Sequence, residues 1–258
     1  MRIDLASAPG SQEHPNEDWV SAAIPASGGG VLVALDGVTP PRGDDGCVHG
    51  VPWFVARLGG RLTELSGSRR DMPLVRILAE AIRTTADAHR DGCDLSHVRT
   101  PQATVVMVRW DEAHVEHLVL SDSVLLLQAP GGEVTAVLDD RLERVPREVL
   151  RSVAAADALR NAEGGFFTAA ADPAVAERAV TGRTPRDRVR AVAALTDGAG
   201  RWADTFGEGD WGACLAVLRK EGAEGLIGRV RALESDPARG VPLRGKRHDD
   251  ASAVYAEL

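Results

Sequence analysis

The stretch Val31-Leu32-Val33-Ala34-Leu35 is apolar at every position and stops at Asp36-Gly37. Successive side chains of a strand point to opposite faces, so a strand with no polar position is expected to be buried on both. A Gly28-Gly29-Gly30 turn joins it to a second strand-like run at 19–24, and two strands this close predict a hairpin. That hairpin needs cover on each side. Helical periodicity supplies one cover: Phe54, Leu58, Leu62 and Leu65 share a face, as do Leu74, Ile77, Leu78, Ala81 and Ile82. Asp71-Met72-Pro73 reads as the start of the second helix, with Asp71 as cap, and its end falls near Gly92.

Strand-like runs recur at 103–110, 115–120, 123–128 and 134–138, broken by Asp111-Glu112-Ala113 and Pro130-Gly131-Gly132, and predict a β-meander. Residues 145–162 read as helical, and 189–195 as a strand ending at Thr196-Asp197-Gly198. A helix over 211–233 is interrupted at Gly222 and Gly225, and a closing strand over 251–255 follows His248-Asp249-Asp250. This order is α+β with antiparallel strands rather than alternating βαβ units. Two sheets packed face to face with helices outside accommodate it. No repeat or low-complexity linker divides residues 1–258, which are expected to form one domain.

Composition narrows the function classes. The formal net charge of -8 and the 4% aromatic content speak against nucleic acid as a partner. No apolar run approaches the roughly 20 residues of a membrane span, so no membrane partner is expected. The N-terminus lacks the basic start and apolar stretch of a signal peptide. Cys47, Cys93 and Cys214 are odd in number and widely spaced, which argues for reduced thiols and a cytoplasmic location.

Acidic residues stand at the edges of four apolar runs: Glu17-Asp18, Asp36, Asp197 and Asp249-Asp250. Converging carboxylates repel one another unless a hard cation compensates, and oxygen ligands suit such an ion. One Asp-Gly pair is usually a turn; an ordered set at strand ends is a candidate metal site.

In order along the chain, Asn16-Glu17-Asp18, Ala34-Leu35-Asp36-Gly37, Gln102-Ala103-Thr104, Leu120-Ser121-Asp122-Ser123, Leu195-Thr196-Asp197-Gly198 and Asp249-Asp250-Ala251-Ser252-Ala253-Val254 resemble the motifs of the metal-dependent PPM/PP2C serine/threonine phosphatases. The resemblance spans 16–254. It implies a four-layer α-β-β-α sandwich of two antiparallel sheets with two Mg²⁺ or Mn²⁺ ions at one end. Asp36 would bridge both ions, the Gly37 carbonyl would bind one, and Asp197 and Asp249 the other. Glu17 and Asp18 would contribute directly or through water. The implied chemistry is hydrolysis of a phosphomonoester by a two-metal-activated water, without a covalent phosphoenzyme. Its substrate would be phosphoserine or phosphothreonine in a protein, or a small phosphomonoester.

Departures from the family pattern cluster around the second motif. Glu13 stands where the family has an arginine that grips phosphate, and Val38-Thr39-Pro40-Pro41 replaces its Met-Gly-Gly-His. The expectation is that His49 supplies the general acid and Arg42 the phosphate grip; the alternative is a surface loop in which both are incidental. Arg201 stands where an aspartate often helps hold a third metal, which argues against a third ion although Asp122 keeps its place. Arg201 either meets phosphate or pairs with a core carboxylate. Arg239, Arg244, Lys246 and Arg247 form a basic patch beside Asp249 that either steers an anionic substrate or is a solvated loop. Cys47 and His49 lack a second Cys-x-x-Cys-like partner, so a zinc site is not expected; Cys47 reads as a packed cysteine, with an activated thiolate nucleophile as the alternative. Cys93 and His97 are expected in the loop after a helix. Two further readings stay open: a catalytically impaired binding or regulatory domain, and an enzyme of this fold acting on a small-molecule phosphate.

Overall fold

The structure is a computed structural model and describes residues 1–26, 28–41, 43–237 and 246–258. Strand β1 (Arg2–Ala8) precedes the hairpin β2 (Trp19–Ala23) and β3 (Gly30–Leu35). Helices α1 (Gly50–Ser68) and α2 (Leu74–Asp87) come next, then β4 (Val105–Trp110), β5 (His114–Leu120), β6 (Val124–Gln128) and β7 (Val134–Val137). Short helices α3 (Arg141–Arg144), α4 (Arg147–Leu150) and α5 (Val153–Leu159) lead to β8 (Val180–Pro185) and β9 (Ala191–Leu195). The chain closes with α6 (Asp197–Asp204), α7 (Trp211–Ser235) and β10 (Ala251–Glu257).

The strands form two five-stranded antiparallel sheets, ordered β1-β10-β9-β6-β7 and β2-β3-β4-β5-β8. Strand β3 explains the layering. Its Val31, Val33 and Leu35 pack under α1 and α2, while Leu32 and Ala34 face the other sheet. All five are fully buried, as an unbroken apolar run requires. The second sheet mirrors this: Ala191, Ala193, Leu195, Ala253 and Tyr255 pack against α6 and α7, while Val192, Ala194, Val254 and Ala256 fill the middle. Three apolar layers thus lie between four layers of structure, the α-β-β-α sandwich that was expected.

Several local expectations change. The meander is divided: β4 and β5 stay in one sheet, whereas β6 and β7 join the other, where β6 pairs with β9. The crossing occurs at Ser121, whose φ of 69° turns the chain out of the first sheet. Residues 145–162 contain two short helices and a loop rather than one helix. Pro73 takes the N-cap position of α2, because Asp71 is held by the Arg69 guanidinium at 3.1 and 3.2 Å, and α2 ends at Asp87. Helix α7 breaks at Gly222, where φ is 79°, and the Ala223 N–H donates to Asp4 at 2.7 Å; Gly225 remains helical. Strands β1 and β8 had no strong sequence signal. Both are edge strands, and β8 carries Gly182 and Pro185, which weaken a strand pattern.

Candidate active site

Antiparallel register gathers the acidic motifs. Trp19 pairs with Leu35, so Asp18 before β2 and Asp36 after β3 emerge together. Leu195 pairs with both Ala253 and Val124, which brings Asp197 beside Asp249-Asp250 and the Ser121-Asp122 crossing. Val105 pairs with Leu120, adding Thr104 at the same end. Six separated segments therefore meet at one rim of the sandwich.

Both glycines of the Asp-Gly pairs are required by close approach. A Cβ on Gly37 would collide with the Glu17 carbonyl, and one on Gly198 with the Asp250 carbonyl. Each pair thus lets a carboxylate-bearing turn lie flat against the strand entrance beside it.

The meeting point is a cleft of about 360 Å³. Asp36, Asp122, Asp197 and Asp249 line it with Gly37, Thr39, Thr104, Lys246 and Arg160. Asp36, Asp122 and Asp197 keep partial exposure through the cleft mouth, whereas Asp18 behind them is buried. Surrounding protein and mutual repulsion raise the proton affinity of all four. Burial, then the charges of Asp197, Asp18 and Asp122, push Asp36 well above the usual carboxylate range. Asp197 is raised to about 7, by burial and then by Asp122 and Asp249. Burial lifts Asp18 to about 8 against the opposing hydrogen bonds of Ser252 and Thr196. Asp122 is raised chiefly by burial.

Hydrogen bonds fix these groups. The Asp36 N–H donates to Thr104 Oγ1 at 3.2 Å, and Thr104 shares a 2.6 Å bond with Ser123. Thr196 Oγ1 donates to Asp18 Oδ2 at 2.8 Å, while the buried Oδ1 of Asp18 has no protein partner. The Ser121 N–H donates to Asp139 Oδ2 at 2.8 Å, and Arg141 grips that carboxylate, holding the strained turn that aims Asp122. Asp250 accepts from the Gly10 and Glu17 N–H groups at 2.8 and 2.7 Å, so it ties down the N-terminal segment.

The remaining predicted residues take different places. Glu17 bonds Thr39, whose hydroxyl also receives Lys246 Nζ at 2.7 Å. Burial raises the Glu17 carboxyl. Arg201 does not line the cleft: its guanidinium is buried between Glu234 at 2.7 Å and Asp249 at 2.8 Å, so of its two expected roles it takes the ion pair. His49 is likewise absent from the cleft lining. The 43–49 loop folds onto the loop after α2, where the Asp94 N–H donates to the Gly46 carbonyl at 2.7 Å, and His49 stacks 4.3 Å from Trp53. Arg42, Arg239 and Arg244 lie outside the described residues. Within the basic patch, Lys246 borders the cleft and Arg247 bonds the Glu234 carbonyl.

Arg160 was missed by sequence reasoning. It follows α5 directly, lines the cleft, and sits 5.0 Å over the Phe166 ring. Burial lowers its pKa, and its guanidinium donates a long 3.4 Å bond to Gln102 Oε1. Nothing in its local sequence marks it; only the packing of the 139–168 segment over the cleft does.

The layers and the acidic rim define a protein phosphatase 2C-like fold. The protein phosphatase 2C family model matches residues 10–221, and the chain belongs to that family. No curated protein matches it. Among solved structures, an arginine-substituted bacterial serine phosphatase gives a TM-score of 0.64 at 13% identity, covering 100% of this chain and 98% of that one. A serine/threonine phosphatase from Staphylococcus aureus gives 0.61 at 12%, covering 99% and 94%. The catalytic domain of the serine/threonine phosphatase PstP, crystallised with two manganese ions, gives 0.60 at 16%, covering 99% and 97%.

Proposed function

We propose that the chain is a divalent-metal-dependent phosphatase acting on phosphoserine and phosphothreonine in proteins. The observation that carries this reading is the convergence of Asp36, Asp122, Asp197 and Asp249 at one cleft, with Asp18 buried behind them and Arg160 on its wall. An all-oxygen donor set suits Mg²⁺ or Mn²⁺, and a relative of this fold holds two manganese ions. The fit is electrostatic: repulsion that drives these carboxyls toward protonation is relieved by a shared divalent cation, and Asp18 Oδ1 offers an unpartnered acceptor.

Asp36, Asp197 and Asp249, with Asp122, Glu17, Asp18 and the Gly37 carbonyl, would hold the ions. Once bound, such ions acidify water and neutralise charge developing on the phosphoryl group. The protein's own groups do the rest. Arg160 offers a partly dehydrated guanidinium to the phosphate, in place of an arginine at position 13, and Lys246 adds a second positive charge. Thr104 fixes the backbone of Asp36, and Arg201 orients Asp249. Leu142, Leu150 and Phe166 give the cleft an apolar wall against the carbon portion of the substrate.

A second reading, phosphate binding without turnover, draws on Asp249 and Asp250 being engaged in an ion pair and a capping role. Phosphate release from a phosphothreonine peptide and from p-nitrophenyl phosphate, with and without Mn²⁺, separates the two. Mn²⁺-dependent release that is lost in Asp36→Asn is expected. Tight phosphopeptide binding with no release would favour the second reading, and full activity in Asp36→Asn would overturn the first.

A further inference from the structure

The loop that carried His49 away from the cleft delivers it to a different cluster. Cys47, His49, His89 and Cys93 place their ligand atoms within 4.8 Å of one another. Cys47 Sγ lies 3.7 Å from His49 Nδ1, 3.5 Å from His89 Nδ1 and 3.2 Å from Cys93 Sγ. His49 Nδ1 lies 3.3 Å from Cys93 Sγ. A tetrahedral zinc with Zn–S near 2.3 Å and Zn–N near 2.05 Å sets edges of about 3.8 Å between sulfurs, about 3.6 Å from sulfur to nitrogen and about 3.4 Å between nitrogens. The three sulfur-to-nitrogen distances scatter around the expected edge, while the two sulfurs lie closer than theirs, so a bound ion would spread them slightly. The sulfurs are far from the roughly 2.05 Å of a disulfide, so they stand as two thiols.

We propose that Cys47, His49, His89 and Cys93 form a structural Zn²⁺ site, independent of the acidic cleft. Two thiolates and two imidazoles in a tetrahedral set select zinc over the hard Mg²⁺ and Mn²⁺. Four protein ligands leave no open position, which marks a structural rather than a catalytic ion. The surroundings suit it. His89 is buried, and the Trp53 ring lies 4.3 Å from His49 and 5.0 Å from His89, forming an apolar flank on one side, while His49 closes the exposed side.

The ligands come as two short pairs, Cys-x-His before α1 and His-x-x-x-Cys after α2. The ion would therefore clip the start of one helix to the end of the other. His49 is the N-cap residue of α1 and makes no side-chain capping bond, so its imidazole is available for the metal. The segment from Thr39 to His49 has one end in the cleft and the other in this cluster, so the clip would anchor the loop where the chain leaves its family's pattern.

Elemental analysis of tag-free, gel-filtered protein tests the site. One zinc per chain is expected, and Cys47→Ser and Cys93→Ser should each lose it with a fall in Tm of roughly 10 °C. Because such variants can fail to fold, the unmodified protein is also exchanged with Co²⁺. A sulfur-to-cobalt charge-transfer band with strong tetrahedral d–d absorption is expected. Asp36→Asn should keep its zinc, which separates this site from the cleft whatever the enzyme assays show. A zinc-free protein whose Cys47 and Cys93 titrate freely or form a disulfide, or octahedral cobalt spectra, would overturn the proposal.

Discussion

The acidic cleft and the Cys/His cluster sit at opposite ends of one strap, yet they assemble by different physics. In the cleft, each carboxylate ends or begins a different strand, and sheet register brings like charges together. Their repulsion shows as raised proton affinity. The cluster gathers two cysteines and two histidines from two loops, and among the described residues no other group of three or more Cys, His, Asp or Glu is drawn so closely together. The difference teaches that a rigid frame can force carboxylates to converge but leaves them spread and open, whereas cysteines and histidines on loops can close around a point. The first arrangement suits exchangeable hard ions and a substrate; the second suits a permanent clip.

The largest expected effect is a double dissociation. Asp36→Asn should cut Mn²⁺-dependent phosphate release by at least about 10²-fold while zinc content stays at one per chain. Cys93→Ser should lose zinc with a far smaller change in activity. Loss of both properties in either variant would merge the two sites and break the comparison.

Arg201→Ala comes next. It removes the shared partner of Glu234 and Asp249, though Arg231 and His248 still reach Glu234 at 2.8 and 2.9 Å and Lys246 still lies 3.4 Å from Asp249. A loss of about 3 kcal/mol in urea unfolding is expected, at the low end for a broken buried pair because of those remaining partners. Arg201→Lys should restore part of it. An unchanged midpoint in the alanine variant would mean that Asp249 needs no such support.

Arg160→Ala should raise KM for a phosphopeptide by about tenfold, the cost of one charge-assisted hydrogen bond, with a smaller change in kcat. A larger loss in kcat than in KM would place Arg160 at the transition state instead of at ground-state binding.

The last prediction concerns the sign of stability against pH. Without divalent ions in the cleft, Asp18 and Asp197 titrate at about 8 and about 7 in the folded chain, against about 3.9 when unfolded. The folded state then holds more protons, so stability falls as pH rises from about 4 to about 8 and levels off above. Added Mn²⁺ should flatten the slope. Thermal melts of zinc-loaded, cleft-depleted protein from about pH 5 to about pH 8 check the sign; a Tm that climbs over this interval would refute the crowding of the carboxylates.

What was legible in the sequence follows from how locally each feature is encoded. Strand β3 was legible because both its faces are apolar, and the Asp-Gly pairs because close backbone approach demands glycine beside each carboxylate. Edge strand β1 alternates only weakly, and its pairing with β10 spans the whole chain. Arg160 carried no local mark, since its role depends on the 139–168 segment lying over the cleft. His49 was placed by position along the chain, but the fold of the 43–49 loop sets where its ring points.

By itself the sequence determined the core strands, the covering helices α1, α2 and α7 and the acidic residues at strand ends, because these are written in short-range period and composition. The tertiary structure decided that β6 changes sheets, that Arg201 serves Asp249, and that Cys47 meets His89 42 positions away. Those outcomes depend on which distant surfaces pack against each other, and no local pattern fixes the free energy of contacts between segments that far apart.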